Sequence, residues 1–239
     1  MKEVLAIIWA LYLHLMPIYQ EWSPNEHSLA AIWKIEEPEA FFLELEVVRN
    51  AARIEHIKHP RRRIEHLAGR FLLNYLQADF PLHHIANDPH DKPRLPDNQY
   101  FFSISHSFPY VAVLISDKEE CGIDIQIWKD GIEKIADMFL SAQEQALCNG
   151  DSKLFTLAWC IKEACYKWNG RRGADFIRDL GIQQIKLNHI LSNWEGICEE
   201  YAIKNKCFTI PLECNAVVYK DFSLAWLIRE RIHTNELVL

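Results

Sequence analysis

Three short stretches near the middle of the chain read as strands: Tyr100 to Ser105, where apolar and polar positions alternate, the apolar run Tyr110 to Ser116, and Gly122 to Trp128, which alternates again. In the third, Ile123, Ile125 and Ile127 alternate with Asp124 and Gln126, so two polar side chains leave the same face. Upstream, Leu29 to Ile35 predicts another strand, and Pro38 to Arg53 an amphipathic helix entered through Glu36 and Glu37. Pro60 to Leu76 predicts a second helix that buries Ile64, Leu67, Phe71, Leu72 and Tyr75. A loop rich in proline and aspartate, Asp79 to Asn98, follows and holds Lys92. Downstream, Ile132 to Phe139 and Ala142 to Cys148 read as helices, the latter opened by a capping box of Ser141 and Glu144. Lys153 to Trp168 reads as a longer helix, and strands return around Cys207 to Ile210, Asn215 to Tyr219 and Ser223 to Ile228. Helix-then-strand blocks in each half, with a break near Phe108 and no short repeat, make the chain α+β.

The polar positions that interrupt these patterns carry the chemistry. On the long helix Trp159, Glu163 and Lys167 recur every four residues and so share one side. Glu163 and Lys167 at that spacing also make an ordinary surface pair, but Trp159, Ala164 and Cys165 are too apolar for an exposed face. Asp124, following a glycine, could equally cap a turn. An acid on a strand opposed by an acid and a lysine on a helix can hold a hard cation and the anionic oxygens it bridges. Magnesium is usually held by one or two protein carboxylates, with water and phosphate completing its shell. The first strand ends in Ser105, His106 and Ser107, donors suited to a phosphate, although His106 also fits a satisfied core histidine.

Composition narrows the classes. The chain has 239 residues, 49% hydrophobic and 25% charged, which is globular and long enough for one large domain or two small ones packed together. A formal net charge of −7 argues against a coat for nucleic acid or anionic membrane. The stretch from Arg53 to Arg70 runs against that balance, with Lys58, Arg61, Arg62 and Arg63 between its ends and only Glu55 and Glu65 opposing them. It reads as a solvated helix face or as a surface for a local anionic partner. Seven cysteines, an odd number with no Cys-x-x-Cys pair, imply neither a zinc site nor a disulfide framework and fit a reducing cytoplasm. Val4 to Leu15 is apolar but too short to span a bilayer, and no small-residue cleavage site follows it.

Taken in order, Ser105-His106, Gly122-Ile123-Asp124-Ile125-Gln126 and Trp159-Cys160-Ile161-Lys162-Glu163-Ala164 with Lys167 resemble the motifs of Sfp-type 4'-phosphopantetheinyl transferases. That family's counterparts are a Ser-His pair, a Gly-x-Asp-x-Glu strand and a Trp-x-x-Lys-Glu-Ala-x-x-x-Lys helix. Lys92-Pro93 falls where the family has a Lys-Pro, and His59 through Arg70 resembles its basic first motif. The resemblance covers about residues 16 to 225. It implies two similar α+β halves related by a pseudo-two-fold axis, residues 16–108 and 109–239, with the site between them. Residues 1–15 would then be an extension ahead of a start at Met16, or else an added apolar helix.

The resemblance further implies transfer of 4'-phosphopantetheine from coenzyme A to a serine of an apo acyl or peptidyl carrier protein, releasing adenosine 3',5'-bisphosphate. Mg2+ would be held by Asp124 and Glu163, with Gln126 standing where the family usually has a second strand acid. Glu163 would also take the serine proton, and Lys167 would stabilise the diphosphate. Ser105 and His106 would contact the 3'-phosphate of coenzyme A, and Lys92 would approach its adenine or ribose. Arg70, with Arg62 or Arg63, would complete the clamp; Lys162 would lie nearby, and Trp159 would orient Glu163 by packing. The expected protein is a cytoplasmic monomer with no nucleic-acid partner and no membrane span. The rivals are a homologue that binds coenzyme A or carrier protein without turnover, and a magnesium-dependent phosphodiesterase.

Overall fold

The computed structural model describes residues 18–51, 54–170, 173–188, 193–201 and 209–230; the expectations for residues 1–15 and for Arg53 lie outside them. Its strands are β1 (Ile18–Trp22), β2 (Ser28–Lys34), β3 (Ala86–Asn87), β4 (Pro93–Arg94), β5 (Phe101–Ser107), β6 (Tyr110–Ser116), β7 (Cys121–Ile127), β8 (Leu180–Asn188), β9 (Asn193–Tyr201), β10 (Thr209–Val218) and β11 (Phe222–Ile228). The α-helices are α1 (Glu39–Glu44), α2 (Glu46–Ala51), α3 (Pro60–Leu76), α4 (Ala142–Leu147) and α5 (Ser152–Asn169). Two antiparallel sheets, in the orders β1-β2-β6-β5 and β7-β11-β10-β9-β8, make the fold α+β, and β3 and β4 form a small ribbon.

Successive side chains of β2, β6 and β7 leave opposite faces, and that explains the layering. Ala30, Ile32, Ala112 and Leu114 from one sheet meet Ile123, Ile125, Phe222 and Leu224 from the other, forming a core between the sheets. The opposite face of the first sheet, with Trp33, Val111 and Val113, buries Leu67, Phe71 and Leu72 of α3. The opposite face of the second, with Leu212, Ala216 and Ala225, buries Leu157, Ile161 and Ala164 of α5. Strands buried on both faces read as unbroken apolar runs, as β6 does. The chain changes sheet between Ser116 and Cys121, because β6 stays with the N-terminal sheet. The break expected near Phe108 therefore falls inside the β5–β6 hairpin.

The predicted helix over 38–53 is two short helices, interrupted at the extended Leu45. Phe42 and Val48 are both buried, yet six residues turn an unbroken helix by about 240°, which would point them to different sides. The interruption lets both reach the core. Ile132–Met138, expected as an α-helix, is a 3-10 helix instead. The strands β8 and β9 were not predicted, and β10 joins two segments that the sequence divides.

The two sheets meet edge to edge as well as face to face. β5 and β7 are each terminal in their sheets and run side by side. The N–H groups of Ile123, Ile125 and Ile127 donate to the hydroxyls of Ser103, Ser105 and Ser107 at 3.1, 3.2 and 3.1 Å. Side chains thus replace a backbone ladder along this seam, and the β7 donors that face it are satisfied.

Candidate active site

Gly122 brings α5 down onto β7. A Cβ there would lie 2.0 Å from the Ala164 carbonyl oxygen and 2.8 Å from the Trp168 nitrogen, so only glycine admits the helix this close. The helix is fixed at both ends: Asp151 accepts the Lys153 N–H at 2.8 Å, and Gly170 closes it with a left-handed φ of 68°. Two residues beyond Gly122, Asp124 faces the helix and is 5% exposed. Its Oδ1 accepts from Lys167 Nζ at 2.6 Å and from Ser105 Oγ at 2.7 Å. Its Oδ2 is buried and has no hydrogen-bond partner.

Glu163 lies one helical turn before Lys167 and is half-buried. Burial and then the negative charge of Asp124 push its carboxyl up to about 7, against the opposing pull of Lys167. Two acids here face one ammonium, that of Lys167, and the orphaned carboxylate oxygen is left without a cationic partner. Two carboxylates suit magnesium, which keeps water and phosphate in its shell. Among the described residues no group of three or more His, Cys, Asp or Glu side chains could hold a metal, as a zinc site would require. Gln126 shares the face of Asp124, but its Nε2 donates to Ser107 Oγ and to the Ile127 carbonyl, both at 3.1 Å. The amide is thereby held against the seam, leaving its oxygen as the only group that could serve a cation.

His106 stands on the other face of β5 from Ser105. Arg62 of α3 approaches its Nδ1 at 3.1 Å, and Glu65, buried one turn along, lies 3.5 Å from the same nitrogen. Burial first, then Arg62 and Lys167, lower the imidazole pKa while Glu65 raises it, so the ring is held neutral at pH 7. Neighbours on a strand point to opposite faces. Ser105, 4% exposed, has both its donor and an acceptor engaged at the seam. The two side chains therefore leave β5 on opposite faces, with His106 on the α3 side.

The basic run does not form one face. Arg61 lies over the Phe108 ring at 5.3 Å, Arg62 turns to His106, and Arg63 pairs with Glu39 of α1. Arg70 reaches back to the His66 carbonyl at 3.5 Å. Lys92 lines a cleft but spends its ammonium on Glu120 at 2.9 Å and the Trp168 carbonyl at 3.1 Å. It ties the loop that carries it to Glu120 and to the end of α5. Lys162, expected near the site, is fully buried instead. It donates to the carbonyls of Phe139 and Phe176 at 2.8 and 2.7 Å and pairs with Glu144 at 2.5 Å. Burial lowers its pKa, and Glu144 partly offsets that.

Sequence reasoning missed Glu65, Glu120 and the second task of Glu144. Glu65 alone left a signal, as an acid in a basic turn three residues after Arg62.

Two hollows flank the acids along α5. One, of about 260 Å³, is lined by Pro93, Phe102, Ile104, Tyr166 and Lys167 and lies between the halves. The other, of about 290 Å³, is lined by Gln126, Ile127, Ile135, Phe139 and Trp159. Trp159 packs edge-on against Phe139 and at a tilt against Phe176.

Fold and site together define an α+β protein in which two carboxylates and a lysine converge between β7 and α5. The comparisons are more particular. Residues 120–216 match the model of the 4'-phosphopantetheinyl transferase superfamily. The chain is 32% identical over 118 residues to 4'-phosphopantetheinyl transferase AcpT of Escherichia coli O157:H7, covering 46% of this chain and 59% of that protein. The protein of the same name from Salmonella typhi is 32% identical over 117 residues, covering 46% and 60%. The chain thus spans about three-fifths of the length of the curated relatives it matches. Among the described residues no helix is long and apolar enough to cross a membrane.

Proposed function

We propose that this chain moves the 4'-phosphopantetheine arm of coenzyme A to a serine of an apo acyl or peptidyl carrier protein, with Mg2+, releasing adenosine 3',5'-bisphosphate. In type it would be a holo-acyl-carrier-protein synthase. The observation that carries the reading is the orphaned Oδ2 of Asp124 beside the desolvated Glu163. When bound, Mg2+ supplies positive charge that offsets the charge growing on the leaving phosphate.

The chain's own residues supply the rest. Lys167, already against Asp124, carries positive charge from the acids into the cleft, where the diphosphate would lie. Arg62 and His106 meet the 3'-phosphate on the α3 side, and Arg63 and Arg70 supply further charge from the same helix. The nucleotide occupies the cleft between the halves, and the carrier serine enters from the hollow beside Gln126 and Trp159. Glu163 takes the serine proton; an acid that ionises near the working pH suits that role. The serine Oγ forms a bond to the phosphorus that bears the arm. The bond from that phosphorus to the bridging oxygen breaks, and its electron pair leaves with adenosine 3',5'-bisphosphate.

The test is incubation with coenzyme A, Mg2+ and an apo acyl carrier protein, followed by intact mass. The expected result is a carrier heavier by one phosphopantetheine with the wild-type chain and none with Asp124→Ala or Glu163→Ala. A carrier of unchanged mass, with coenzyme A still bound by the chain, would replace transfer with binding alone.

A further inference from the structure

The seam between β5 and β7 contains three serines in equivalent backbone roles, of which Ser105 bonds Asp124. Ser103, Ser105 and Ser107 each accept one β7 N–H. Ser105 differs in donating its own proton to Asp124 Oδ1 at 2.7 Å. The acceptor role fixes the hydroxyl in place, since the Ile125 N–H points at its lone pair from 3.2 Å. Its single proton is therefore aimed at the carboxylate.

That bond has a geometric consequence for Asp124. Oδ1 is held from two directions, by Ser105 Oγ and Lys167 Nζ. A carboxylate pinned at one oxygen cannot rotate about its terminal bond, so Oδ2, buried and without a partner, is presented in one direction. Lys167 alone would not achieve this, because a flexible ammonium follows the oxygen wherever it turns. A hydroxyl locked in a sheet seam does not follow.

We infer that Ser105 is a positioning residue for the cation: it orients Asp124 so that Oδ2 is delivered to the metal. The inference rests on the two-carboxylate cation site proposed above. Partners of this kind behind a metal ligand typically govern affinity by about 10- to 100-fold.

The experiment compares Ser105→Ala, Ser105→Cys and Ser103→Ala with wild type. Ser105→Cys keeps nearly the same volume but donates weakly, so it guards against an alanine variant that fails to fold. Ser103→Ala removes the same backbone acceptor without touching Asp124. Mn2+ binding to the chain alone is read by electron paramagnetic resonance. Both Ser105 variants should lose Mn2+ affinity by about 10- to 100-fold. Ser103→Ala should melt lower yet bind Mn2+ as wild type does. Wild-type Mn2+ affinity in either Ser105 variant, or equal Mn2+ loss in Ser103→Ala, would overturn the assignment. A wild-type chain that binds no Mn2+ would instead remove the cation site itself, and with it the role of Ser105.

Discussion

Replacing Glu163 by glutamine should stabilise the metal-free protein above neutral pH while abolishing transfer. The carboxyl is raised from an ordinary 4.5 to about 7 by burial and by Asp124. Below pH 4.5 the folded and unfolded chains both hold the proton. Between 4.5 and 7 only the folded chain holds it, so unfolding releases a proton and stability falls as pH rises. Above 7 the loss is complete. Each pH unit between the two values is worth about 1.4 kcal/mol, and so ionised Glu163 costs the fold up to about 3 kcal/mol at pH 8. Glutamine keeps the shape and removes the titration. For a chain of this size the difference corresponds to roughly 6–12 °C in Tm. The assay is thermal unfolding of both proteins in chelator from pH 4.5 to 8.5. The curves should coincide at the acid end and separate as Glu163 ionises, with the variant melting higher; Mg2+ should then raise the wild type and not the variant. A difference in Tm that does not change with pH would refute the reasoning, because Glu163 would not then be a desolvated acid beside Asp124.

Three further outcomes follow from named contacts. Gly122→Ala should cost about 1–3 kcal/mol by overpacking and reduce transfer, since α5 must lift from β7 and take Glu163 and Lys167 with it; thermal melting beside an activity assay checks both. His106→Ala should weaken coenzyme A binding by about 10- to 100-fold, as for a lost bond to a charged phosphate, and leave 3'-dephospho-coenzyme A little changed in calorimetry. Lys162→Met should destabilise the chain by about 3–5 kcal/mol, because Glu144 stays buried beneath it; chemical denaturation reads the loss.

The elements around the site were the most legible, because each is a distinct periodic or apolar run. β5, β6, β7 and α5 lie within two residues of their predicted bounds, and Glu163 and Lys167 lie one turn apart on α5 as their spacing indicated. β8 and β9 were not foreseen. β8 exposes Gln183, Gln184, Lys186 and Leu187 at the far edge of its sheet, so half of its pattern answers to solvent. β9 has Gly196 beneath Ile161, a gap that acquires meaning only once the helix is in place. The same reason hid the partners of the lysines. Lys162 and Glu144 are separated by 18 positions, and Lys92 and Glu120 by 28, and no local period links them. The Ser-His motif held a different point that reading along the chain does not bring out: its two adjacent side chains belong to opposite faces of a strand.

The seam also bears on how the two halves find each other as the chain folds. Ser103, Ser105 and Ser107 repeat every second residue, and each meets a residue 20 positions further on. A slip of one residue would offer Phe102, Ile104 and His106 to the β7 donors, and none of these can accept three N–H groups in a row. A slip of two would leave one donor unmet. The joint therefore works as a vernier: it has one setting at which all its marks coincide, and that setting places an acid of one half beside the histidine strand of the other. Assembly of the halves and alignment of the site are one event.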